Sequence, residues 1–164
     1  VFEDARKAPP EALPPDAKAA AAYLGPMLAR RRAIAAGADD VILLDQAGDV
    51  AEAPIANVFA VVSGELWTPP LGRILPGITR DSVLALARED GIPIREEALP
   101  QDVLASADEA FLTATSLPLA PIGWLNDRAL PGAPGPVTRR LLEALVAARR
   151  GAHAGRASWL TYLA

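Results

Sequence analysis

The chain has no cysteine and only one histidine among its 164 residues. The absence of cysteine excludes disulfides and thiolate metal sites. The one histidine, His153, lies in a glycine-flanked stretch near the end of the chain. A histidine-based triad, a zinc site or any other metal site is therefore not expected. Acid–base chemistry would have to rest on Lys, Tyr, Asp, Glu or a cofactor.

The chain also lacks long stretches of apolar residues and long stretches of basic residues. No apolar stretch reaches the length of a membrane span, and no signal peptide is visible. The net charge is −4, and the only local basic cluster is 30–32. We therefore expect neither a nucleic-acid nor a membrane partner. A hydrophobic content of 51% with 22% charged residues is typical of one globular domain.

Lysine is scarce, because only Lys7 and Lys18 occur among the 16 basic residues. Lys18 stands in the alanine-rich run 16–23. Arginine keeps its proton in proteins, whereas a buried lysine amine can lose it and then form an imine with a carbonyl. Lys18 is therefore a candidate nucleophile. The alternative is a solvated lysine on the outer face of an alanine-rich helix.

The pattern along the chain predicts an α/β domain with a mixed, mostly antiparallel sheet, or pseudo-barrel, flanked by helices. Residues 1–15 form a Pro-rich linker, 16–150 the domain and 151–164 a tail whose segment 159–163 docks on the body. Gly25-Pro26 is expected to kink the first helix or split it in two. Strands are predicted over 41–44, 50–53, 57–62, 65–68, 92–97, 109–114 and 119–124, and helices over 16–36, 79–89, 101–105 and 136–150.

Three features could form a site with Lys18. Glu52 ends a strand and is followed by small residues and a proline, although a solvated glutamate would give the same pattern. The loop 75–81 contains Gly77 and leads into a helix whose first N–H groups could bind a phosphate, or are simply capped by Thr79. The segment 111–118 ends a strand in hydroxyls and a turn, which suits a phosphate or a carboxylate as well as a capped loop.

No single one of these features could hold a cofactor. The helix dipole contributes only ~0.3–2 kcal/mol. A micromolar ligand needs about 8 kcal/mol. Several groups would therefore have to act together.

Six stretches together resemble the C-terminal half of a class IV (fold type IV) pyridoxal-phosphate aminotransferase, most closely a branched-chain amino-acid aminotransferase. The resemblance runs from Pro9 to about Arg150. The stretches are Ala12-Leu13-Pro14-Pro15-Asp16-Ala17-Lys18, Gly37-Ala38-Asp39-Asp40, Val50-Ala51-Glu52, Thr68-Pro69-Pro70-Leu71, Ile74 to Asp81, and Gly135-Pro136-Val137-Thr138-Arg139-Arg140.

The resemblance implies pyridoxal 5'-phosphate as cofactor and a role for each site residue. Lys18 matches the Schiff-base lysine that also moves the proton between Cα and the cofactor, and Glu52 the partner of the pyridine nitrogen. Tyr23 matches the tyrosine on the phenolic oxygen. The other matches are Asn57 behind Glu52, Leu75 on the ring, the Gly77, Ile78 and Thr79 turn with Thr115 on the phosphate, and Ser116 with Leu117 near the substrate.

The resemblance further implies an amino acid and a 2-oxo acid as substrates, a homodimer and a cytoplasmic location. Members of the family carry an N-terminal domain that closes the site, and this chain shows no counterpart before Val1. We therefore expect the 164 residues alone to bind the cofactor weakly and to turn over poorly. A non-catalytic fragment is the corresponding alternative.

The sequence departs from the branched-chain pattern mainly where the substrate is expected. Ala20 or Ala21 and Ala22 replace a glycine and an asparagine, Ala56 replaces a second acid, and 114–118 differs from the usual Gly-Thr-Ala-Ala-Glu. The run 56–59 also resembles aminodeoxychorismate lyases, which eliminate pyruvate. That lyase is the main enzymatic alternative, and a D-amino-acid aminotransferase is a weaker one. The imine role requires an uncharged Lys18 amine inside the fold.

Overall fold

A computed structural model gives the structure of residues 2–131 and 133–161. The α-helices are α1 (Leu24–Ala35), α2 (Ile78–Glu89), α3 (Gln101–Ser106) and α4 (Pro136–Arg149), and short 3-10 helices cover Ala20–Tyr23 and Ala154–Trp159. The strands are β1 (Phe2–Arg6), β2 (Ile42–Leu44), β3 (Glu52–Ala53), β4 (Ala56–Val62), β5 (Glu65–Thr68), β6 (Ile94–Glu96), β7 (Glu109–Thr113), β8 (Ala120–Pro121), β9 (Trp124–Leu125) and β10 (Arg128–Ala129).

The main sheet confirms the predicted mixed and mostly antiparallel class. Its strands follow the order β6-β5-β4-β7-β8, and β3 pairs with the start of β4. Every ladder is antiparallel except the one between β5 and β6. Strands β1 and β2 form a separate parallel pair, and β9 and β10 a separate hairpin.

Strand β4 lies at the centre of the sheet and is buried on both faces. Val58 and Ala60 pack into a core with α3 and the β9–β10 hairpin, whereas Phe59 and Val61 pack against α2 and α4. This alternation follows from the two-residue period of a strand. Phe59 stacks on Phe111 of β7, with ring centroids 5.0 Å apart. The ends of β4 and β7 are therefore rigidly placed, and the site is built at one of these ends.

The first helix differs from the prediction over 16–36, since α1 begins only at Leu24. Residues 17–19 form tight turns instead, with Ala17 N donating to Pro14 O at 3.0 Å. Proline has no backbone N–H, so within a continuous helix Pro26 would leave one hydrogen bond unmade and would clash with the carbonyl four residues earlier. The first turn of a helix tolerates proline. Starting α1 at Leu24 places Pro26 in that first turn. The split allowed for in the prediction is found just before Gly25.

The buried face of α1 consists of small side chains rather than of its larger apolar residues. Met27, Leu28 and Ile34 are exposed. Ala29 and Ala33 face the core instead, packed with Val41 and Leu43. Small side chains allow α1 to approach this core closely, which leaves the larger apolar residues of the helix outside.

Three further differences concern the ends of elements. The stretch predicted as a linker contains β1, and only its Pro-rich part is irregular. The predicted strand 50–53 is reduced to β3 and a bridge at Val50. The predicted strand 119–124 divides into β8 and the first strand of the β9–β10 hairpin. Prolines limit the ladders in the first of these segments, and Pro121 and Gly123 do so in the last.

The tail is anchored on α2 through Arg156. Its Nε donates to Glu89 Oε2 at 3.2 Å, and its Nη2 donates to Ala85 O at 3.2 Å. The same guanidinium lies over the ring of Trp159. This agrees with a docked tail, although residues 162 and 163 of the predicted segment lie outside the described residues. Within the described ranges, no helix combines the length and apolarity needed to cross a membrane.

The N-terminus of α4 is held by a buried side chain from β7. Glu109 is 4% exposed, and its carboxylate accepts hydrogen bonds from Val137 N at 3.0 Å and Thr138 N at 2.7 Å. Such a carboxylate satisfies N–H groups that have no partner inside the helix. Gly135 leaves room for it, because a Cβ there would lie 2.2 Å from Glu109 Cδ.

We predict that Gly135→Ala lowers the free energy of unfolding by ~1–3 kcal/mol, because the added methyl group displaces the Glu109 carboxylate. Urea unfolding measures this change. Gly123→Ala is the matched control, since its Cβ would meet only Ala133 Cβ at 3.8 Å. Equal stability of the two variants would contradict the assigned role of Glu109.

Candidate active site

A cavity of about 530 Å³ opens beside the start of α1, the β3–β4 hairpin, the loop before α2 and the end of β7. All nine residues predicted to bind the cofactor line this cavity. They are Lys18, Tyr23, Glu52, Asn57, Leu75, Gly77, Ile78, Thr79 and Thr115. The fold thus brings together residues that lie far apart in the sequence.

The Glu52 carboxylate is the most connected polar group of the cavity. Its Oε2 accepts hydrogen bonds from Leu75 N at 2.9 Å and from Asn57 Nδ2 at 3.3 Å. Its Oε1 accepts from the ammonium of Lys7. The side chain is only 13% exposed. Because the carboxylate is held on both oxygens, its position is fixed before any ligand binds.

Asn57 links Glu52 to the loop before α2. Besides its bond to Glu52, Asn57 Nδ2 donates to Leu75 O at 2.9 Å. Asn57 lies opposite Glu52 in the β3–β4 ladder and opposite Thr113 in the β4–β7 ladder. The hairpin, the loop and the end of β7 therefore keep a fixed mutual arrangement.

Gly77 is required where the loop passes Asn57. A Cβ on Gly77 would lie 2.1 Å from Asn57 Oδ1, which no side chain can tolerate without displacing the amide. The close contact brings the N-terminus of α2 to the cavity. Gly77 is thus a packing residue as well as the residue that precedes the helix.

The N-terminus of α2 is open toward the cavity. No side chain caps it, and the first described backbone bond runs from Asp81 N to Gly77 O at 3.0 Å. The N–H groups of the first turn have no partner inside a helix and carry its positive partial charge. Ile78, at the first position, is 81% exposed. This end of the helix is therefore suited to bind an anion.

Lys18 differs from the expectation that its amine lies inside the fold. The residue lines the cavity, but it is exposed. Its neighbours Ala19, Ala20 and Ala21 are exposed as well, because the segment is irregular up to Ala19 and then forms only a short 3-10 helix without buried residues. Among the described residues, no hydrogen-bond or ion-pair partner of its amine is found. The amine is therefore placed on the cavity wall without being removed from solvent.

The other predicted residues divide into two groups. Tyr23 and Leu75 are half-buried in the cavity wall, and Thr115 is exposed at its edge. The predicted substrate residues Ser116 and Leu117 do not line the cavity. They lie in the next turn, closed by Ala114 N donating to Leu117 O at 2.8 Å. These two residues are adjacent to the cavity, and a direct role in it remains a prediction.

Four polar residues that line the cavity were not predicted as site residues, namely Arg6, Lys7, Asp16 and Thr113. Lys7 contacts Glu52 across 45 positions of sequence, and Thr113 has a fully buried hydroxyl without a hydrogen-bond partner among the described residues. Lysine scarcity was the available signal for Lys7, since both lysines of the chain line this one cavity. Thr113 carried no signal beyond its position at a strand end.

The sequence profile described as Amino-transferase class IV matches residues 1–123. The chain therefore belongs to the class IV aminotransferase family.

The branched-chain-amino-acid aminotransferases are among its similar relatives. That of Pseudomonas aeruginosa is 40% identical over 142 residues, which is 84% of this chain and 46% of the relative. That of Salmonella typhimurium is 36% identical over 156 residues, which is 94% of this chain and 50% of the relative. The chain thus spans about half the length of the curated relatives it matches.

Two solved structures show the same fold. The branched-chain aminotransferase of the thermophilic archaeon Thermoproteus uzoniensis, solved with norvaline, superposes with a TM-score of 0.93 at 35% identity. The match covers 98% of this chain and 54% of that one. The branched-chain amino acid aminotransferase of Thermobaculum terrenum in its PLP form gives a TM-score of 0.95 at 36% identity, covering 98% of this chain and 53% of that one.

We predict that Asn57→Ala lowers the free energy of unfolding by ~1–3 kcal/mol, because the 5%-exposed amide no longer satisfies Glu52 and Leu75 O. Urea unfolding measures this loss. Ser82→Ala is the control, since it removes an exposed bond to Ile78 O and should change stability by less than ~0.5 kcal/mol. A loss no larger in Asn57→Ala than in the control would show that Asn57 does not join the hairpin to the loop.

Proposed function

We propose that the protein is a pyridoxal-phosphate-dependent aminotransferase that uses Lys18 to transfer the amino group of a branched-chain amino acid to 2-oxoglutarate. The observation that carries this proposal is one cavity that holds a lysine, a fixed carboxylate and an open helix N-terminus. The names of the relatives support the substrate class. They also favour transamination over the elimination of pyruvate.

The residues present fit the cofactor. The cavity volume of about 530 Å³ lies within the range of ~300–1,000 Å³ that is usual for ligand sites. The Lys7 ammonium on Glu52 Oε1 shows that a cationic N–H donor is accommodated there, as a protonated ring nitrogen would require. The uncapped end of α2, with its close turn at Gly77, provides an anion site on the same cavity.

Pyridoxal phosphate, when bound, supplies an aldehyde that condenses with amines and a ring that takes up the electrons released at the substrate Cα. Lys18 provides the amine for the first task on the cavity wall. Its Nζ also moves a proton between the substrate Cα and the cofactor. An unpaired amine in an irregular segment has the rotational freedom that such a transfer needs.

Glu52 holds a proton at the ring nitrogen. A carboxylate that is 13% exposed and held by three donors keeps its orientation, so it need not reorganise when the ring arrives. Asn57 and Leu75 N fix Oε2, and Leu75 also contributes an apolar surface for the ring. Tyr23, half-buried in the same wall, donates to the phenolic oxygen.

The phosphate would be bound by the first turn of α2 and by Thr115. The N–H groups of Ile78 and Thr79 with the Thr79 hydroxyl would form one side, and the hydroxyl of Thr115, two residues beyond β7, would form the other. The helix dipole adds only ~0.3–2 kcal/mol. The affinity therefore depends on these contacts acting together with those of Glu52 and Lys18.

The turn after β7 is proposed to meet the substrate carboxylate. The bonds that close it use the N–H groups of Ala114 and Leu117. The N–H groups of Thr115 and Ser116 and the Ser116 hydroxyl thus stay available for the substrate carboxylate. An apolar side chain would lie against Ile55, Ala22 and other apolar residues of the wall, which agrees with a branched-chain substrate.

We further propose a homodimer and a cytoplasmic location. Leu24 is 70% exposed and Ile78 81%, and exposed Met27 and Leu28 lie on the same helix as Leu24. Large exposed apolar side chains in one region are typical of an interaction surface. A monomeric mass in light scattering would contradict the dimer, and recovery in a membrane or secreted fraction would contradict the location.

We predict that Lys18→Arg abolishes 2-oxoglutarate-dependent transamination of leucine, with a loss of at least about 10³-fold, because arginine cannot give up its proton. In the unaltered protein, borohydride treatment with the cofactor should attach a pyridoxyl group to the peptide that contains Lys18. Peptide mass spectrometry detects the added mass.

The chain provides an internal control, since Lys7 is its only other lysine. Attachment at Lys7, or equal attachment in Lys18→Arg, would remove Lys18 from the mechanism. Release of p-aminobenzoate from aminodeoxychorismate without transamination of leucine would instead make the protein a lyase.

A further inference from the structure

Lys7 is the second lysine of the cavity, and nothing in the proposed reaction uses it so far. Its ammonium contacts Glu52 Oε1, and the side chains are 16% and 13% exposed. A pair so far removed from water must be closely matched to offset the cost of desolvating two charges. Exposed salt bridges contribute little to stability, and the Lys7–Glu52 pair differs from the exposed ion pairs of the chain because it is mostly buried.

The backbone of Lys7 is fixed at both its N–H group and its carbonyl oxygen. Lys7 N donates to Leu44 O at 2.9 Å, and Gln46 Nε2 donates to Lys7 O at 2.5 Å. The residue directly follows β1, which pairs with β2. The ammonium is therefore delivered to Glu52 from a fixed backbone position, unlike the amine of Lys18.

Glu52 keeps room for one more donor. An ionised carboxylate has about four acceptor positions. Leu75 N and Asn57 Nδ2 occupy two on Oε2, and Lys7 occupies one on Oε1. The remaining position on Oε1 can accept a ring N–H while the Lys7 ammonium stays in place.

We infer that Lys7 is a positioning residue. It places the opposite charge against the partly buried Glu52 carboxylate, and it fixes Oε1 for the ring nitrogen of the cofactor. The inference rests on the proposed function, because it concerns the partner of that nitrogen. Lys7 could stabilise the fold in general, or it could support one hydrogen bond between Glu52 and the cofactor, and the inference is the second of these.

The test compares two ligands that differ at the ring nitrogen. Pyridoxal phosphate and its 1-deaza analogue, which has a C–H in place of that nitrogen, are titrated into the protein by calorimetry. Lys7→Met should weaken the binding of pyridoxal phosphate about tenfold, because the hydrogen bond between its ring nitrogen and Glu52 is lost. It should change the affinity for the analogue less than about twofold, because the analogue never makes that bond.

The ratio of the two affinities is independent of the fraction of folded protein, so a partly unfolded variant still gives a result. Lys7→Arg keeps the charge and should restore most of the ratio. An equal loss for both ligands would reduce Lys7 to a structural role, and tighter binding of pyridoxal phosphate would show that Lys7 competes with the ring. Either outcome overturns the inference while the proposed function stands. If the unaltered protein binds neither ligand, the proposed function itself fails, and the inference fails with it.

Discussion

The site depends on the hydrogen bonds that surround the Glu52 carboxylate. Through Asn57 and the backbone of Leu75, this one side chain joins the β3–β4 hairpin to the loop that opens α2. Its two proposed functions, holding a ring nitrogen and holding the phosphate turn at a fixed distance, are therefore not independent. A carboxylate already bound by three donors does not need to be reoriented when a ligand arrives, and this preorganisation is a main source of electrostatic catalysis.

The rigid part of the site follows from the central strands. β4 and β7 pair over five residues and are buried on both faces, and the Phe59–Phe111 stack ties them together. Polar residues of these strands lie only at or next to their ends, with Asn57 opposite Thr113 on the side of the site and Glu109 at the other end. The Lys18 side of the cavity has no comparable support, because α1 buries only Ala29 and Ala33. The cavity thus has a fixed floor and a loosely packed side.

The sequence predicted best those elements whose signals are local. α2 and α4 were placed within one residue, because a glycine precedes each and apolar residues recur at helical spacing. The first helix was predicted to begin too early. Its alanine content suggested a helix from residue 16, whereas Pro26 is tolerated only in the first turn of a helix. Local propensity carried no information on that geometric limit.

The residues proposed to bind the cofactor were predicted from the resemblance, but their surroundings were not. Contacts such as that between Lys7 and Glu52 join segments that are far apart in sequence, and no periodicity encodes them. The exposure of Lys18 was missed for a related reason. A run of alanines looks like an apolar environment in sequence, although small side chains cover little of a neighbouring amine once the run forms turns on the surface.

The two lysines show how surroundings divide one residue type between two tasks. Lys7 has a fixed backbone and a partly buried carboxylate as partner, so the position of its ammonium is held. Lys18 lies in an irregular exposed segment, and the described part of the chain gives its amine no partner. A group that moves a proton between two atoms must change position and charge, whereas a group that fixes a carboxylate must do neither. The proposed roles therefore follow from how each amine is held rather than from the amine itself.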